Sequence, residues 1–238
     1  MTTVFKREFL AYFRTPVGYV FLGVYLALAG LLFNAAILDT LSGELLIFLS
    51  QLTYLFMLLS PVLAMRLLCE DRQKKTDQLL LTSPVPLGKI VLGKFLAGAA
   101  VLGIAVLLTN VYVLVMQLYG TVYPGEWFVG YVGFMLQGLC YLALDLLVSC
   151  FAKNQVTAAV LGFGANFLLW MLDLLADSAT GAVRSVIEFV SLYQRYQPFV
   201  LGQLSPANLL YFVCFIALCL VATTHVLDAR RFAEGGAA

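Results

Sequence analysis

Six runs of apolar residues, at about 17–38, 45–68, 90–119, 128–151, 156–175 and 207–226, leave this chain little freedom in how it folds. Each is long enough to cross a hydrocarbon layer about 30 Å thick as a helix of roughly twenty residues. Backbone in lipid must satisfy its own hydrogen bonds, so such runs become helices. With 62% hydrophobic and 11% charged residues among 238, and a mean hydropathy of +0.96, little remains for a water-soluble unit. The expected fold class is therefore all-α: a polytopic membrane protein with six transmembrane helices, forming a single domain over 1–238.

Ahead of the first run, 3–15 reads as an interfacial helix, with Phe5, Phe9, Tyr12 and Phe13 on one side and Arg7 and Arg14 on the other. Pro16 ends it. A cleaved leader is the weaker alternative: Ala27-Leu28-Ala29 resembles a cleavage motif, but the apolar run continues past it. The five cysteines (Cys69, Cys140, Cys150, Cys214, Cys219) sit in or beside apolar runs without a C-x-x-C pair, and His225 is the single histidine. Neither a metal site nor a disulfide framework is expected, and no cofactor. There is no G-x-x-x-x-G-K-[ST] loop, nucleophile elbow or H-E-x-x-H pair, so no ATP site or catalytic centre is expected either. A net charge of +1 gives no reason to expect nucleic acid.

Basic residues orient the chain. Lys6, Arg7, Arg14, Arg66, Arg72, Lys74, Lys75, Lys89, Lys94, Lys153, Arg230 and Arg231 fall on one side of a six-span arrangement, and Arg184 and Arg195 on the other. The retention of positive charge inside puts both termini in the cytoplasm. The segment 176–206 is then the largest outer feature. Val183, Val186, Ile187 and Val190 recur there at helical spacing, which predicts one or two short helices on or dipping into the outer leaflet, and Arg184 can pair with Glu188 one turn on.

Polar residues inside spans invite two readings. Asn110, Gln137, Asp145 and Asn166 either form a polar path or join helices to one another. Asp145 is the costliest of these to insert, and pairing with Lys153 or with a basic residue of the leader is the favoured expectation over a proton relay.

The feature with most room for chemistry in water is the island at 66–94, RLLCEDRQKKTDQLLLTSPVPLGKIVLGK. Thr76 and Asp77 open a short helix through Gln78, Leu79, Leu80, Leu81 and Thr82, and Ser83-Pro84-Val85-Pro86 stops it. Three leucines outside the membrane mark a contact, either with a partner's groove or with the bilayer surface.

This island resembles the first cytoplasmic loop of ABC-2 type exporter permeases. The E-x-R segment is Glu70-Asp71-Arg72, and the T-x-x-x-L-L-x-[ST]-P coupling helix is Thr76 to Pro84, followed by Gly93-Lys94. The leader's Lys6-Arg7-Glu8, the S-x-x-x-K-N-Q connector ending at Gln155 and the region before the last span extend the likeness. Loop spacing most resembles the short branch associated with gliding-motility permeases. Lys75 stands where the pattern has glycine, and Asp145 where a small residue is usual. The resemblance implies a multi-pass permease of a prokaryotic cytoplasmic membrane, paired with a second permease chain, identical or homologous, and with two copies of a separate ABC ATPase. It also implies an ATPase-coupling surface made by Glu70, Asp71, Arg72, Lys75 and Thr76 to Pro84. Two other readings stay open: a proton-coupled secondary transporter using Asp145, and a non-transporting membrane scaffold.

Overall fold

The computed structural model describes residues 2–38, 45–73, 86–119, 123–176 and 189–235, with Gly181, Arg184 and Ile187 between the last two stretches. The elements are α1 (Thr2–Arg14), α2 (Pro16–Phe33) running into a π-helical turn (Asn34–Leu38), α3 (Leu45–Gln73), α4 (Leu87–Leu108), α5 (Asn110–Tyr119), α6 (Pro124–Ser149), α7 (Gln155–Ala176), α8 (Leu192–Val200) and α9 (Pro206–Gly235). Among the described residues, six stretches are long and apolar enough to cross a membrane: Pro16–Ile37, Leu45–Asp71, Leu87–Leu118, Pro124–Ser149, Gln155–Leu172 and Pro206–Arg230. The all-α, six-span expectation holds.

Local chemistry sets the helix starts. Proline opens α2 and α6, where a missing N–H costs nothing because first-turn amides lack partners. Asn154 Oδ1 accepts the Thr157 N–H at 2.8 Å ahead of α7, and Ser191 Oγ accepts the Gln194 N–H at 2.9 Å to cap α8.

Three boundaries differ from the sequence reading. The third span is two helices, α4 and α5, parted at Thr109. Its hydroxyl donates back to Val106 O at 2.6 Å and Ala105 O at 3.1 Å, a local competition that disturbs helices. The fourth span begins at Pro124 rather than 128 and its helix ends at Ser149. The island's first third is not a loop: α3 continues unbroken to Gln73, so Glu70 and Asp71 ride on a helix.

At the centre stands α6, which packs against α3, α4, α7, α8 and α9. A stack of rings joins it to the first two spans: Tyr25 lies 5.5 Å from Phe56, and Phe56 lies 4.5 Å from Phe134, between ring centroids. By contrast α7 and α9 carry large apolar side chains outward, such as Val160, Leu168, Leu210 and Leu218, as helices bordering lipid do.

At the end of the bundle away from α1, the short α8 wedges Leu192, Tyr196 and Phe199 into the core. Arg195 stays among aromatic rings, its Cζ 5.1 Å from the centroid of Tyr211 and 5.5 Å from that of Phe189. Of the segment 176–206, a short helix is described at 192–200. The proposed repeat through Val183 and the Arg184–Glu188 pair lie largely outside the described residues. Docking of α8 depends on Gly133, where a Cβ would come 2.5 Å from Phe199 Cβ. We expect Gly133→Val to lift α8 at a cost of about 1–3 kcal/mol. A cysteine at Tyr196, buried here, should then become reactive to a soluble thiol reagent. Equal labelling with and without the valine would show that α8 absorbs it.

Candidate functional site

Two buried polar clusters stand out. The first ties the two feet of segment 74–85 to the leader. Lys94, on the first turns of α4, is 2% exposed. An ammonium has three protons to donate, and Nζ meets three acceptors: Glu8 Oε1 of α1 at 3.0 Å, Asp71 Oδ2 of α3 at 2.5 Å and Leu67 O at 2.5 Å. Arg7 closes the figure, with Nη2 2.5 Å from Glu8 Oε1 and 3.6 Å from Asp71 Oδ2. Two cations and two carboxylates alternate around a ring drawn from three chain segments.

A second set of contacts buttresses the ring one turn deeper. Arg66 Nε donates to Glu70 Oε2 at 2.5 Å, its Nη1 donates to Thr15 Oγ1, and its guanidinium lies 5.3 Å from the centroid of the Tyr12 ring. Tyr12 is buried and donates to Leu63 O at 2.7 Å. Burial pushes its phenol well up, more than Arg66 draws it down, so the hydroxyl stays a donor. The leader is therefore docked through charge and a buried tyrosine as well as through its phenylalanine side.

The second cluster lies among α3, α6 and α7. Pro61 lies within α3 and cannot donate to the carbonyl four residues back, which is Met57 O. Asn166 of α7 supplies the missing donor, Nδ2 to Met57 O at 3.1 Å. The same amide reaches Ser60 Oγ at 3.2 Å and Asp145 Oδ2 at 3.3 Å, and Ser60 Oγ donates to Asp145 Oδ2 at 2.5 Å.

The chain matches the family model described as ABC-2 family transporter protein over residues 39–232. It belongs to the ABC-2 transporter family. It is thus a multi-pass membrane protein and a transmembrane subunit of an ABC transporter. Subunits of this kind generally lack an ATP site of their own, and membership implies an ABC ATPase partner. The match is to the family as a whole rather than to a branch of it. None of the curated proteins matches the chain.

Of the coupling residues expected in this ABC-2 subunit, Glu70 and Asp71 fall in the buttress and the ring, and Arg72 lies on the same last turns of α3. Lys75, Thr76, Asp77, Gln78, Leu79, Leu80, Leu81, Thr82, Ser83 and Pro84 lie outside the described residues. Of the polar residues in spans, Asp145 and Asn166 meet. Asn110 is elsewhere, accepting from Trp127 Nε1 at 3.0 Å, and buried Gln137 donates to Tyr141 Oη at 3.4 Å. The expected pairing of Asp145 with Lys153 or the leader is replaced: Lys153, Lys6 and Arg14 are exposed, Arg7 joins the ring, and Asp145 bonds Ser60 and Asn166. Sequence reading missed Lys94, Glu8 and Ser60 as buried partners. The signal for the first two was a lysine and a glutamate, each set in an otherwise apolar helix face. Among the described residues no His, Cys, Asp and Glu cluster could hold a metal.

Proposed function

We propose that the whole chain, 1–238, is an ABC-2 exporter permease domain driven through the island at 66–94. In this reading it resides in a prokaryotic cytoplasmic membrane with both termini inside, and works with two copies of an ABC ATPase and a second permease chain, identical or homologous. Thr76 to Pro84 docks in the ATPase, with Leu79, Leu80 and Leu81 as the apolar contact. The observation that carries the reading is the ring of Arg7, Glu8, Lys94 and Asp71. It locks together the helix entering the loop, the helix leaving it and the leader, so a push on the loop is received by α1, α3 and α4 as one body. A loop without work to do needs no such base.

Docking alone shifts nothing. The ATP-closed ATPase must favour one permease state, and a near-complete switch takes about 5.5 kcal/mol of differential affinity. The test is purification of the tagged chain from its own membranes in mild detergent, with mass spectrometry of what accompanies it. We expect a P-loop ATPase with the unaltered chain and its loss with Leu80→Asp at equal membrane insertion. Capture that survives Leu80→Asp would remove the coupling helix from the proposal, and absence of an ATPase in several detergents would remove the coupling itself.

A further inference from the structure

Asp145 is 1% exposed inside a membrane-spanning helix, and nothing in the coupling scheme uses it. Its surroundings decide its charge. From α3 it faces Met57, Ser60 and Pro61, and from α7 Gly162 and Asn166. None of these is titratable or charged. On α6 itself Tyr141 is engaged with Gln137, and Cys219 of α9 lies beside Cys140. The cations at the adjoining ends of α3 and α4, Arg66 and Lys94, are committed to Glu70, Glu8 and Asp71.

A carboxylate offers about four lone-pair sites and needs donors or a cation for them. Here both donors are neutral and both go to Oδ2, and Asn166 Nδ2 divides its protons with Ser60 Oγ and Met57 O. Oδ1 is buried with no hydrogen-bond partner. Gly162 closes over it: a Cβ there would come 2.8 Å from Oδ1 and 3.0 Å from Pro61 Cβ. The packing leaves this oxygen against a helix backbone, an arrangement that penalises an anion heavily and a neutral carbonyl oxygen far less.

We propose that Asp145 is a proton-binding site: the folded protein holds it as the neutral acid, its Oδ2–H donating to Ser60 Oγ so that the Ser60–Asp145 hydrogen bond runs opposite to the sense it has with a carboxylate, and this neutral form is what lets α7 seat against α3 and α6. Seating matters because α7 is among the least buried of the spans, with 17% of its apolar window inside the bundle. Gly162 and Asn166 are two of its few inward residues. Loss of the proton places an unsolvated charge against Gly162 and loosens α7. The inference concerns the chain alone and stands or falls separately from ATPase coupling.

The test uses the purified full chain in lipid nanodiscs. Its infrared spectrum should contain the carbonyl stretch of a protonated carboxylic acid, missing in Asp145→Asn and shifted in Ser60→Ala, which removes the proton's acceptor. Thermal unfolding against pH supplies the second readout. The unfolded aspartate titrates near about 3.9; above that pH, for as long as the native protein keeps the proposed proton, it binds one more proton than the unfolded state. Stability relative to Asp145→Asn therefore falls as pH rises, about tenfold in the folded-to-unfolded ratio per pH unit, until the folded carboxyl ionises and the difference levels. No acid carbonyl band, or one indifferent to Ser60→Ala, overturns the proposal. So does a stability difference flat across the neutral range. The serine variant keeps the infrared test decisive should the asparagine variant fail to fold.

Discussion

Lys94→Met is expected to destabilise the protein by about 3 kcal/mol, because it strands Glu8 and Asp71 beside each other with their shared cation gone. In a chain of this length that is a fall in Tm of ~6–12 °C. Arg7 stays near both carboxylates and limits the loss, but it is half-exposed and 3.6 Å from Asp71. An exposed pair would contribute no more than about 1 kcal/mol, and a loss that small would show the ring to be decoration. Combining Lys94→Met with Glu8→Leu should cost less than the sum of the two, since the second change removes a charge the first left unpaired. Lys94→Arg should fall between, for a planar fork cannot point at Glu8, Asp71 and Leu67 O as an ammonium does.

The second large effect is expected at Asn166. Asn166→Leu leaves Met57 O with no donor and takes a hydrogen bond from Asp145 Oδ2. An unsatisfied buried carbonyl costs about 1–3 kcal/mol, and the lost bond adds to that. Chemical unfolding of the detergent-solubilised chain measures the total. The diagnosis comes from the partner change: Pro61→Ala restores a backbone N–H able to reach Met57 O, so in the Asn166→Leu background it should recover part of the loss. If proline removal brings no recovery in that background, Asn166 does not replace the hydrogen bond that Pro61 lacks.

The spans were legible because their signal is local. A run such as Val17 to Leu38 must be a helix in lipid whatever lies around it, and Pro16 marks where it begins. The island was legible as a place of contact, since leucines between charges need an explanation. What could not be read were pairings between distant residues. Lys94 and Glu8 each appeared in a recognisable motif, yet nothing in either motif says that one meets the other. Asp145 announced itself by its cost, and a lysine eight residues on was the obvious partner. The actual answer needed Pro61, whose orphaned carbonyl draws Asn166 into place beside Ser60. The break at Thr109 was missed for a milder reason: without glycine or proline, a Thr-Asn pair is a weak stop in an apolar run.

The ring also sets an order of events during synthesis. Glu8 and Lys94 are separated by 86 positions, so at ~5–20 residues per second the leader waits about 4–17 s after it is made before its cation exists. Asp71 waits less, and Arg7 has Glu8 beside it from the start. The leader's final seat is therefore assigned only once the third span has entered the membrane, and a chain halted before that point has an acidic leader residue with Arg7 as its sole company in the ring. Helix α1 is made well before the residue that fastens it.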